Sequence, residues 1–228
     1  MHAQRGDASM KFTLAIFAVL AIAGPLSAYK LPSTGSGQLA KDLQDVVDMI
    51  QFDKVFDITK AYLAQDKEVQ LMAALVDSQD SKKLIQYVEN EPVFKKLVAF
   101  MQENGLDIYY LINKYNEFIQ IPQFKPSVAL QREITGGVVG YVEDIAAITP
   151  MDKMMHVIED RLKTSKPLSE LVKLASTPEV VSFVESLRSN EFFLNLEKQA
   201  DQNGLGSLNV DRYYTYFAMV IPAARSTF

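Results

Sequence analysis

From Leu39 onward, apolar residues recur at steps of three and four, with no sustained alternation of period two. That spacing predicts helices with one buried stripe, not strands. Leu39, Leu43, Val46, Val47 and Ile50 mark a first helix. Asp53 is the expected cap of a second, with Val55, Phe56, Tyr62 and Leu63 on its inner face. Val69, Met72, Ala73 and Val76 mark a third, and Leu84, Ile85 and Val88 a fourth. Pro92 suits the first turn of a fifth helix, where its missing N–H costs nothing. That helix carries Phe94, Leu97, Val98 and Met101 and ends at Asn104-Gly105, a left-handed cap. Asp107 caps a sixth, IYYLINKYNEFIQ, which stops before Pro122.

The pattern then repeats. Asp45, Asp53, Leu63, Lys67 and Leu75 are matched 99 residues later by Asp144, Asp152, Leu162, Lys166 and Leu174. Phe94 and Leu97 fall on Phe193 and Leu196, Asn104-Gly105-Leu106 on Asn203-Gly204-Leu205, and Tyr115 and Phe118 on Tyr214 and Phe217. The register slips by one only at Ile121-Pro122 and Ile221-Pro222. An ungapped match of this length is a duplicated structural unit. Thr149-Pro150 and Thr177-Pro178-Glu179 repeat the cap-then-proline signal in the second copy. One departure stands out: Asp107-Ile108-Tyr109-Tyr110 becomes Gly206-Ser207-Leu208-Asn209. It obscures where the last helix begins.

The predicted organisation is a secretion signal over 1–28, a flexible lead-in over 29–38, a helical repeat over 39–125, a linker over 126–139 and a second repeat over 140–228. The two repeats are expected to fold as one all-α domain. The signal rests on Lys11, the apolar run Phe12–Ala23 and Leu26-Ser27-Ala28 before a cut, a run too short to span a bilayer comfortably. Met10-Lys11 offers a more natural start than Met1.

Composition narrows the function. Of 228 residues 48% are hydrophobic and 22% charged, with a net charge of -5 and no basic stripe, so nucleic acid is not an expected partner. There is no cysteine, and His156 is the only histidine beyond His2. No zinc or copper site of the usual type and no cysteine–histidine pair can be assembled, and no cofactor motif is present. Carboxylates at adjacent helical positions, such as Glu159-Asp160, do not face one another and read as solvated faces. His156 reads as a surface or half-buried residue. No catalytic residue is assigned. The apolar arcs are wide, with Ile108, Tyr109, Leu111, Ile112, Tyr115, Phe118 and Ile119 on one helix. Such helices sit in a solid core or wall a cavity, and periodicity alone favours the solid core.

The helix–Asn-Gly-Leu–helix segment VFKKLVAFMQENGLDIYYLINKYNEFIQIP, preceded by SQDSKKLIQYVENEP and repeated about 100 residues on, resembles the insect allergen-related repeat family of cockroach group 1 allergens and insect midgut microvillar proteins. The resemblance runs from about Leu39 to Pro222. It implies a hollow helical capsule around an apolar cavity that holds fatty acids or phospholipids, secreted to the gut lumen or microvillar surface, with transient membrane contact for lipid exchange. It carries over no catalytic residue. The residues expected to line the cavity are Phe56, Met72, Leu84, Val88, Phe94, Leu97, Met101, Leu111, Tyr115 and Phe118, with Met155, Phe183, Leu187, Phe193, Leu196, Tyr214 and Phe217 from the second copy. The alternatives are a ligand-free helical-repeat interaction protein, or a detoxification role like that of the family's nitrile-specifying members.

Overall fold

A computed structural model describes residues 30–119 and 133–225. Over those residues the chain is all-helical, with one isolated bridge between Ser33 and Leu106. The first six helices are α1 (Gln38–Val47), α2 (Phe52–Gln65), α3 (Lys67–Asp77), α4 (Gln79–Asn90), α5 (Pro92–Glu103) and α6 (Ile108–Phe118). The next six are α7 (Gly137–Ile148), α8 (Met151–Thr164), α9 (Lys166–Ala175), α10 (Pro178–Leu187), α11 (Glu191–Gln202) and α12 (Ser207–Arg225). Each of the second six begins 99 residues after its counterpart, so the duplicated register is also a register of helix starts. The last helix therefore begins at Ser207, where the sequence left its start obscure. The predicted signal, the side chain of Phe118 and the first half of the predicted linker lie outside the described residues.

Several caps fall where the sequence puts them. Asp107 accepts from the N–H of Tyr110, Pro92 and Pro178 open their helices, and Gly105 and Gly204 take left-handed φ values of 97° and 79°. Asp53 does not cap α2. It lies in the first turn behind Gln51, where its charge still favours the helix dipole. Pro150 precedes α8 instead of opening it, and Thr149 turns back to the carbonyl of Ile145, closing α7.

Two segments expected to be loose are tied down. In the lead-in, Leu31 is buried and its N–H donates to Gln44 Oε1 at 2.7 Å. Asp107 N–H donates to the carbonyl of Pro32 at 3.0 Å, and Leu39 N–H to that of Asn104 at 2.9 Å. One buried leucine and a row of backbone bonds override the flexibility implied by Ser-Thr-Gly-Ser-Gly. The predicted linker ends earlier than residue 139, because α7 begins at Gly137. Gly137 N–H donates to Asp66 Oδ2 at 2.6 Å and Val138 N–H to Glu68 Oε2 at 3.0 Å, so carboxylates from the first copy cap a helix of the second.

The helices sort into two bundles related by exchange of the copies, the first of α2, α3, α4, α7, α11 and α12 and the second of α1, α5, α6, α8, α9 and α10. Packing of α2 and α3 on α7 is matched by α8 and α9 on α1. Packing of α4 and α3 on α11 is matched by α10 and α9 on α5. Side chains obey the same exchange. Tyr62 donates to Asp144 Oδ2 at 2.5 Å, and at the shifted positions Arg161 pairs with Asp45.

The exchange fails at the last helix of each copy. In the first bundle, α12 packs on α2, α3 and α11, with Val210, Tyr214 and Phe217 buried. Tyr141 packs its ring on Phe217 at 4.9 Å and Tyr62 stands edge-on to Tyr141 at 5.2 Å. In the second bundle, α6 packs on α5 and α12 but makes no substantial contact with α8 or α9.

Helix α12 also continues through Pro222, which has no N–H to offer the carbonyl of Ala218. The hydroxyl of Tyr115 on α6 donates to that carbonyl at 3.0 Å. Tyr214 shares a buried hydrogen bond with Ser81 at 2.5 Å. Burial holds the Tyr115 phenol far above its ordinary range, and burial pushes Tyr214 up to about 12 despite the Ser81 bond. A tyrosine whose folded pKa is raised stabilises the fold fully below its unfolded pKa of about 10, and that contribution is lost as pH rises toward the folded value. Alkaline titration followed at 295 nm is expected to show Tyr115 and Tyr214 ionising only together with loss of helical circular dichroism, above about pH 11. Complete ionisation near pH 10 in a folded chain would contradict this.

Candidate ligand-binding site

Because the copies are superimposable in sequence, each position of the first bundle has a counterpart in the second, and the two can be compared in pairs. The first bundle is sealed. Phe56 and Leu63 of α2 are 3% and 6% exposed, and Phe193, Leu196 and Ala200 of α11 are 9%, 0% and 1% exposed. Their counterparts Met155, Leu162, Phe94, Leu97 and Met101 are all half-buried. Leu84 is buried and its counterpart Phe183 is half-buried. Helix α2 buries eight residues, whereas α8, with the same length and register, buries only Met154. The cause is geometric. Helix α12 covers α2, α3 and α11, while no described helix takes its place over α8 and α9.

What remains is an apolar arc formed by α5, α8, α9 and α10. Helix α5 contributes Phe94, Leu97, Phe100 and Met101, and α8 contributes Met151, Met155, Ile158 and Leu162. Helix α10 adds Phe183 and Leu187, with Val181 and Val184 44% and 56% exposed. Methionines are among them, side chains that adapt to partners of irregular shape. Beside this arc, Arg161 pairs with Asp45, which raises the guanidinium above its ordinary value by hydrogen bond and charge. Ser165 donates to the buried carboxylate of Asp42, whose other oxygen accepts from Gln38 Nε2 at 2.9 Å. These bonds join α1 to α8 and α9, where the first bundle has the Tyr62, Tyr141 and Phe217 rings.

The expected lining residues divide accordingly. Phe94, Leu97, Met101, Met155, Phe183 and Leu187 are half-buried on α5, α8 and α10, the first three of them packed at the edge of the core, and Val88 is half-buried on α4. Phe56, Met72, Leu84, Leu111, Tyr115, Phe193, Leu196, Tyr214 and Phe217 are close-packed. A side chain with almost no accessible surface touches no water-sized space, so in this structure these nine act as core. Sequence reading passed over Ile158, Leu162 and Phe100. The signal for Leu162 was available, since the 99-residue shift puts it opposite Leu63, which apolar spacing places on an inner face. A separate cleft of about 120 Å³ between α3 and α11, lined by Leu71, Ala74, Leu75, Gln199, Ala200, Asn203 and Leu205, is too small for a lipid chain, since ligand pockets hold roughly 300 Å³ or more.

His156 is exposed, its Nδ1 2.7 Å from the Asp152 carbonyl of its own helix. Among the described residues no cluster of histidine, cysteine, aspartate or glutamate could hold a metal ion, and no helix is long and apolar enough to cross a membrane.

Comparison with known proteins agrees with the resemblance read from the residues. Protein G12 of Anopheles gambiae is 22% identical over 161 residues, covering 69% of this chain and 75% of that protein. The family model described as insect allergen related repeat, nitrile-specifier detoxification, matches residues 38–210, about three quarters of the chain. The chain therefore belongs to the insect allergen related repeat family.

Proposed function

We propose that this protein is a non-catalytic lipid carrier, taking a fatty acid or the acyl chains of a phospholipid into apolar space bordered by α5, α8, α9 and α10. The observation that supports it is the mismatch between equivalent faces, sealed by α12 in one bundle and left accessible in the other. Each buried methylene contributes about 0.8 kcal/mol, so a chain of about a dozen carbons gains roughly 10 kcal/mol. Association costs at least about 4 kcal/mol of that. Selectivity for headgroup is then low, because the arc offers burial and few convergent polar groups. In this reading the two repeats enclose the ligand as a helical capsule. The protein is secreted, in keeping with the apolar run after Lys11, and works in the insect gut lumen or at the microvillar surface. Loading and release involve brief contact with membranes.

The test is extraction of the purified protein with organic solvent, followed by mass spectrometry and by titration with a fluorescent fatty acid. The expected result is co-purified acyl lipid and saturable uptake. A lipid-free extract with no uptake would reject the carrier. If plant-derived small molecules bound instead, the detoxification reading carried by the family's description would take its place.

A further inference from the structure

The two copies part company at one hinge. The chain leaves α5 and α11 in the same way. Asn104 and Asn203 have φ of -92° and -98°, and Gly105 and Gly204 follow at 97° and 79°. Two residues later they diverge, with Asp107 at φ -75° and Gly206 at φ 82°. Aspartate enters the left-handed region only occasionally, and glycine enters it freely. The helix launched after Gly206 runs across α2 and α3, and the helix launched after Asp107 does not cross α8 or α9.

A second feature reinforces the difference. The lead-in lies along 105–107, bonding Thr34 N–H to the Gly105 carbonyl and Asp107 N–H to the Pro32 carbonyl. At the matching Gly204 and Gly206, open space takes its place: a Cβ there would meet nothing within 4 Å.

We propose that Asp107 and the lead-in clamp are the positioning elements of the ligand site, holding α6 out of the second bundle as Gly206 lets α12 into the first. The inference rests on the carrier reading for its functional meaning, and it adds a location and a stoichiometry. One bundle per chain is filled by its own helix, and the other takes one ligand. Helix α6 keeps the apolar face that would compete, since Leu111 and Tyr115 stand where α12 has Val210 and Tyr214.

The chain has no cysteine, so labels can be introduced cleanly. Spin labels at Asn113→Cys on α6 and Lys173→Cys on α9, both exposed, report the α6–α9 distance by electron–electron resonance. The equivalent exposed pair, Arg212→Cys with Ala74→Cys, supplies the distance of a docked helix. In wild type the first distance should exceed the second. With D107G and L31S together, the first is expected to fall toward the second. Uptake of a fluorescent fatty acid should weaken about tenfold, as the competent state becomes the minor one. D107S keeps a capping oxygen without glycine's freedom and should leave both readings at wild-type values. An unchanged distance in a folded D107G/L31S protein, or a shift equally large in D107S, would overturn the hinge. Should the double variant lose its helical circular dichroism, D107G alone is read by the same criteria. If wild type takes up no fatty acid, the carrier reading fails, and the distances still judge the hinge.

Discussion

Leu196→Asp is expected to unfold the protein, whereas the same substitution at its counterpart, Leu97→Asp, should leave it folded and unable to take up lipid. The two leucines occupy matching positions on α11 and α5, 99 residues apart. Leu196 is 0% exposed among the α12 contacts, while Leu97 is half-buried on the open arc. A carboxylate at 196 has no partner and no water. Either it stays charged at great cost or it is protonated far above its ordinary pKa, and the leucine's packing is lost in both cases. A penalty above about 4 kcal/mol is in the range that abolishes folding of a marginally stable domain. At 97 the new carboxylate can turn to solvent, and the cost stays below about 2 kcal/mol, mostly lost apolar burial. Helical circular dichroism and thermal melting read the first effect, and fluorescent fatty-acid titration reads the second. Equal destabilisation at both sites would mean that the second bundle is as solid as the first. Wild-type uptake by L97D would remove Leu97 from the ligand surface.

The contrast between these two residues also marks how far the sequence could be read. Period, prolines, caps and the 99-residue shift predict an all-helical chain and place the starts of α5, α6 and α10, because those signals are local and repeated. The site was half legible. Wide apolar arcs identified residues such as Phe94 and Phe193 together, since both belong to the same pattern. What separates them is where the last helix of each copy travels, a non-local outcome that apolar spacing does not encode. Its trace in the sequence is the change from Asp107 to Gly206, visible as a departure but without meaning until the two backbones are compared. The lead-in was misjudged for a related reason. Small polar residues and glycines suggest mobility, and the bonds that immobilise them come from residues 104–107, about seventy positions away.

Gly105→Ala is expected to be among the most destabilising small substitutions in the chain, and Gly204→Ala much milder. Both glycines sit at the same left-handed cap, so an alanine at either position costs about 1–2 kcal/mol of backbone strain. At 204 that is the whole cost, since an added Cβ meets nothing within 4 Å. At 105 the Cβ would lie 2.7 Å from the backbone nitrogens of Gly37 and Gln38 and 2.8 Å from the Gly37 Cα. Those atoms belong to the start of α1 and cannot rotate aside. Relief requires the lead-in to lift, and that breaks the bonds from Leu39 and Thr34 to residues 104 and 105. Overpacking of this kind adds a further 1–3 kcal/mol, for a total of roughly 2–5. In a chain of this size each kcal/mol moves the melting temperature by about 2–4 °C, so G105A should melt roughly 10 °C below wild type and G204A only a few degrees below. Lifting the lead-in also loosens the clamp on Asp107. G105A should therefore lose lipid affinity at temperatures where it remains folded, whereas G204A, with no clamp at its cap, should bind as wild type does. Matching melting temperatures for the two variants would show that the close approach of residues 37 and 38 is not rigid enough to matter.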